Sequence, residues 1–90
     1  MRTPSYSGQF RRDVKRLKKR GKDIEKLKRL IELLLAGGAL PPEYKDHPLK
    51  HTWAGYRDAH IEPNWVLIYA ATEERVHLER TGTHEELFED

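Results

Sequence analysis

Three histidines stand where a folded chain tends to present its chemistry. His47 sits beside Pro48 in "YKDHPL", His60 ends "GYRDAH" just before a turn at Glu62, Pro63 and Asn64, and His84 follows "RTGT" near the end of the sequence. Element ends and loops are the usual carriers of functional groups. Histidine gains and loses a proton near neutral pH. A pair of them suits acid–base work on a phosphodiester: one takes the proton of the attacking oxygen, the other protonates the leaving oxygen. Each such transfer is typically worth about 10²–10⁴-fold. Arg57 and Arg80 carry planar forks that can hold negative phosphoryl oxygens. Trp65 and Phe88 offer rings on which splayed bases can stack, although a tryptophan at a strand end, like Trp53 or Trp65, serves equally well as core. Residue types alone therefore lead to an RNA-handling domain, with catalysis and plain binding both open.

Metal chemistry has less behind it. His47 and His51 are four apart, but Pro48 lies between them, so helical ligand spacing does not apply. There is no cysteine to supply thiolate ligands or disulfides. His51 and His77 read as surface or hydrogen-bonded residues. No metal and no other cofactor is expected.

These groups need a scaffold, and the hydrophobic pattern supplies one. "SGQFRRDVKRLKKRG" reads as an amphipathic helix capped by Ser7, with Phe10, Val14 and Leu17 on one face and Gly21 as its stop. "DIEKLKRLIELLLAGG" is a second helix, capped by Asp23. It buries Ile24, Leu27, Ile31, Leu34 and Leu35 and ends at Gly37 and Gly38. The short link between them predicts an antiparallel helix hairpin. "ALPPEYKDHP" is a loop broken by prolines. Beyond it the period falls to two. "HTWAGYRDAHI", "NWVLIYAAT" and "RVHLERTG" read as strands, "TPSY" as a further short strand ahead of Ser7, and "THEELFED" as a tail with one helical turn.

The expected fold class is α+β: one domain over residues 1–90, an N-terminal helix hairpin packed on one face of a small, mainly antiparallel sheet. The other sheet face is left open for a site. Alternation puts Tyr56, Asp58 and His60 on one face and Arg57, Ala59 and Ile61 on the other. In the last strand Val76, Leu78 and Arg80 oppose His77, Glu79 and Thr81, with Val76 and Leu78 toward the helices.

Composition agrees with a small folded domain. The 90 residues are 36% charged and 37% hydrophobic, enough for one modest core. No apolar run nears the roughly 18–20 residues that span a bilayer, and "MRTPSYSGQF" lacks a secretory signal's apolar stretch. The expected setting is the cytoplasm, without a membrane partner. Charge is divided unevenly: residues 1–38 hold 12 Lys/Arg against 4 Asp/Glu, a balance of +8, and residues 39–90 hold 5 against 11, a balance of −6. A basic half is the footprint of a polyanionic partner. An acidic protein or plain solvation of a lysine-rich helix fits it as well.

At "YSGQF", "KDHPL", "YRDAH", "EP" then Trp65 with "LIY", and "RTGTH" followed by "LF", the sequence resembles YafQ-type toxins. These are the mRNA-cleaving members of the RelE/ParE superfamily of bacterial type II toxin–antitoxin systems. The likeness covers nearly the whole chain, and the order and spacing of the motifs are more specific than any one of them. The resemblance implies a RelE-like fold and ribosome-dependent cleavage of mRNA in the decoding site. The chemistry implied is metal-independent: the 2′-OH attacks the adjacent phosphorus, leaving a 2′,3′-cyclic phosphate and a 5′-OH. Implied partners are a cognate antitoxin, the 70S ribosome and mRNA.

Residue by residue, the resemblance makes His47 and His60 catalytic, His84 a general acid or base, Trp65 part of the substrate surface and Phe88 a base-stacking ring. Arg57 and Arg80 remain candidates for the phosphate, and Lys15, Lys18, Lys19 and Arg20 for mRNA and rRNA backbone. One catalytic position departs: the family pattern has an acid directly before the tryptophan, and here it is Asn64. Asparagine hydrogen-bonds but carries no charge, so the departure reads as tolerance, a shifted division of labour, or an attenuating substitution. Two alternatives stay open on such a scaffold, a topoisomerase poison and a non-catalytic RNA-binding module.

Overall fold

The computed structural model describes residues 1–88; the last two residues of the expected tail, Glu89 and Asp90, lie outside them. The chain runs β1 (Thr3–Tyr6), α1 (Gly8–Lys19), α2 (Ile24–Ala36), β2 (His47–Pro48), β3 (Arg57–Glu62), β4 (Trp65–Ala71), β5 (Arg75–Gly82) and α3 (His84–Phe88). Ser7 caps α1, its hydroxyl accepting the Phe10 N–H, and Asp23 caps α2 through the Glu25 N–H. Both helix starts fall where the capping residues predict them.

The five strands form one sheet in the order β1-β5-β4-β3-β2. All pairings are antiparallel except β1 with β5, which is parallel. The expected α+β class and mainly antiparallel sheet are what the structure has. Leu17, Leu27, Leu30 and Leu34 of the helices meet Ala59, Trp65, Leu67, Tyr69, Val76 and Leu78 of the sheet in the main core. β4 is buried from Trp65 to Tyr69 without alternation because its second face is covered too. Val66 and Ile68 pack there with Leu87 of α3, flanked by Leu49, Trp53, Tyr56 and Phe88. The second face is thus not open throughout: an apolar floor occupies its middle.

Three expectations need correction. The segment expected to begin a strand at His51 is instead a 3₁₀ turn over His51–Trp53, followed by Gly55 with φ 93°, and β3 starts only at Arg57. The proline loop contains β2, two residues that pair His47 with Asp58 and Pro48 with Arg57. Finally, Thr81 faces the helices rather than His77. Ile68 pairs with Arg80 while Tyr69 pairs with Leu78, so Glu79 is an extra residue in β5. A bulge of this kind resets alternation beyond it.

Candidate active site

On the face away from α1 and α2, one line of registered residues carries His47, Asp58, Ile68 and Arg80, one from each strand β2 to β5. The next line carries His60, Val66 and Gly82. His47 and His60 therefore stand side by side, their ring centroids 6.4 Å apart. Asp46, just before His47, fixes the short strand. It accepts a two-pronged contact from Arg57, at 3.1 and 2.9 Å, and the Tyr69 hydroxyl donates to the same carboxylate. Burial, reinforced by Asp46, holds the Tyr69 hydroxyl well above its ordinary pKa.

Asp58 is 2% exposed and lies beneath the histidines. His47 Nδ1 is 2.9 Å from the Lys45 carbonyl and 3.0 Å from Asp58 Oδ1. Both neighbours are acceptors, so Nδ1 carries the proton and Nε2 is the nitrogen left to exchange one. The proton is directed at the carbonyl, and Asp58 Oδ1 has no well-directed donor. Burial pushes the Asp58 carboxyl above the usual carboxylate range. Positive charge on His47, His60 and His84 opposes that rise, and Asp46 adds to it. Of the three, His47 is the one in contact with that carboxylate.

His84 arrives on α3, a helix of five residues. Thr83 and Glu86 form a capping box: the Thr83 hydroxyl accepts the Glu86 N–H at 3.1 Å, and Glu86 Oε1 accepts the Thr83 N–H at 3.0 Å. Asn64 Oδ1 accepts the His84 N–H at 3.2 Å, joining the β3–β4 turn to α3. The Phe88 ring lies 4.7 Å from that of His84 and is half-buried on the apolar floor. Asn64 thus holds the backbone of His84.

Several expected site residues are placed otherwise. Trp65 is fully buried and its Nε1–H donates to Thr81 Oγ1 at 2.9 Å, so it cannot offer a ring to a base. Arg57 projects on the helix side with its fork on Asp46. Arg80 is rooted in the line of Asp58, but its Nε and one Nη contact buried Asp13 at 2.8 and 3.2 Å. Burial would raise Asp13, yet Arg80, Gln9 and the Thr81 N–H together hold it below the usual carboxylate range. Arg20 meets Glu86 at 3.0 Å. Lys15, Lys18 and Lys19 are exposed, and Arg12, Lys15, Arg16 and Lys19 line a groove of about 410 Å³ on α1. His77 is bound on both ring nitrogens, by Ser5 and Glu79, and stays outside the site.

The family profile described as "Bacterial toxin of type II toxin-antitoxin system, YafQ" matches residues 2–89. The chain belongs to the YafQ toxin family. It is 57% identical over 84 residues to the "mRNA interferase toxin YafQ" of Escherichia coli (strain B / BL21-DE3), covering 92% of this chain and 91% of that protein. The YafQ chain of the E. coli DinJ-YafQ complex superimposes with a TM-score of 0.91 at 55% identity, over 98% of this chain and 99% of that one. A metal-bound toxin from Helicobacter pylori gives 0.90 at 38% identity, over 98% and 100%. The resemblance that the motifs carried is therefore the family relation.

Among the described residues of this YafQ-family chain, no three His, Asp or Glu side chains converge as a metal ion would require. Reasoning from residue types missed Asp58 as a member of the site, although alternation had put it beside His60. It also missed Asp46 and Glu86, whose partners are distant in sequence.

Proposed function

We propose that the chain is an mRNA interferase toxin that cleaves mRNA on the translating ribosome by acid–base catalysis. The observation that carries this reading is the pairing of His47 with His60, ring centroids 6.4 Å apart, over the buried Asp58 carboxylate that His47 meets at 3.0 Å. Two imidazoles on an apolar floor can divide the proton transfers of an internal phosphoryl transfer: one accepts the 2′-OH proton, the other donates to the departing 5′ oxygen. The Lys45 carbonyl orients His47 so that Nε2 is the free nitrogen, and the Asp58 carboxylate beside it favours the imidazolium. Phe88, packed on His84, supplies an aromatic edge for a base unstacked from its neighbours. Phosphate positioning falls to exposed Lys15, Lys18 and Lys19, which fix the protein on RNA without reading sequence.

The relatives' descriptions support both the activity and a partner. The E. coli relative is an mRNA interferase toxin, and its solved complex contains DinJ. A cognate antitoxin for this chain would bring an acidic segment to the basic groove of α1. Action on ribosomes implies the cytoplasm, and none of the helices among the described residues is long and apolar enough to cross a membrane.

The test is mRNA cleavage in a purified translating system beside the same reaction without ribosomes, with the 5′ ends mapped. Cuts in register with codons and only with ribosomes are expected. Cleavage of naked RNA would remove ribosome dependence; absence of cleavage with bound ribosomes would put Asn64 under test through Asn64→Asp. Absence of both would shift the reading to a topoisomerase poison or a binding module.

A further inference from the structure

A helix as short as α3 does not hold its shape alone, because forming the first turn costs more than one or two hydrogen bonds return. Something must keep His84 and Phe88 in place, and Glu86 is the residue with contacts in both directions. Its Oε1 closes the capping box with Thr83, while its Oε2 lies 3.0 Å from Arg20 Nη2 and 3.5 Å from Arg16 Nε of α1. Arg16 in turn reaches Asp13, 3.1 Å away, on which Arg80 of β5 also closes. Gly82 makes the approach possible: a Cβ there would stand 3.0 Å from Glu86 Oε1 and 3.3 Å from Arg16 Nη2.

We infer that Glu86 is a positioning residue for the cleavage site, tying α3, with His84 and Phe88, to Arg16 and Arg20 of α1. The inference rests on the reading of that site as a ribonuclease centre. Arg20, half-exposed, then serves the site through its contact with Glu86. The Thr83 N–H, followed by the arginines, also draws the Glu86 carboxyl down to about 2, in keeping with an acid that stays ionised wherever the chain folds.

The experiment compares Glu86→Gln, Arg20→Gln, their double variant and Arg20→Lys in the full chain. It reads cleavage rate on saturating ribosomes, ribosome affinity by co-sedimentation, and the ring signals of His84, Phe88 and His77 by NMR. Each Gln variant is expected to lose about ten- to a hundredfold in rate, the scale of a small misplacement of a catalytic group. Ribosome affinity should hold. The double variant should fall no lower than the worse single one, because the pair acts as a unit, and Arg20→Lys should keep most of the rate. His84 and Phe88 signals should move while those of His77 stay. Additive losses, a loss that follows ribosome affinity, or unmoved His84 signals would each overturn the inference. A wild-type chain that cleaves nothing, with His84 signals still responding to Glu86→Gln, would overturn the ribonuclease reading and leave the tie standing.

Discussion

Asp58 is the buried acid of the candidate site, and its environment works against its charge. A carboxylate that is 2% exposed and lacks a well-directed donor on Oδ1 is destabilised by burial, and its pKa is raised. The folded state therefore binds its proton more tightly than the unfolded state does. Stability from this group is greatest at low pH and declines as pH rises from the ordinary carboxylate value through the raised one. Asp58→Asn is expected to cut cleavage sharply while leaving the melting temperature at pH 7 unchanged or higher; a lowered melting temperature would make Asp58 a structural residue. His84→Ala should reduce cleavage by about 10²–10⁴-fold with ribosome co-sedimentation intact. At this scale the sequence carried the histidines, because their types speak for themselves. It could not reveal that Arg57 and Arg80 spend their forks on Asp46 and Asp13, partners 11 and 67 residues away.

Elements decide which of these side chains meet. Two-residue alternation in β3 put Tyr56, Asp58 and His60 on one face, and the apolar clusters on either side of the sheet agree. The same rule failed in β5, where the extra residue Glu79 turns Thr81 inward to the Trp65 indole. A bulge leaves no mark in polarity, so it was hidden. β2 was also beyond reach, since two residues make no pattern, yet it brings His47 to Asp58. The tie between α1 and β5 has a measurable worth. Arg80→Ala leaves Asp13 buried with a weaker set of partners, Arg16, Gln9 and the Thr81 N–H, and should cost about 3 kcal/mol in urea unfolding. Glu86 predicts an acid response of opposite sign to Asp58. With its pKa drawn down to about 2, it adds stability that is full above the ordinary glutamate value and is lost as pH falls toward 2. Glu86→Gln should flatten the acid limb of the stability curve in that window.

For the molecule as a whole, the uneven charge legible in the sequence has become a located surface. Arg12, Lys15, Arg16 and Lys19 line one groove on α1, although Arg16 and Arg20 also face Glu86. Replacing Lys15, Lys18 and Lys19 with Ala should weaken ribosome binding and reduce its salt slope by roughly one for each phosphate no longer neutralised. An unchanged slope would mean that the lysines are only solvated. The parallel pairing of β1 with β5 joins Thr3–Tyr6 to Arg75–Leu78, and His84 lies beyond even that, on α3. Synthesis releases the N-terminal part first, so helices α1 and α2 emerge without the strand that β1 must join. His84 can meet Asn64 only once β5 has been made. The candidate site is therefore assembled last, when β5 docks between β1 and β4 and carries α3 to the β3–β4 turn.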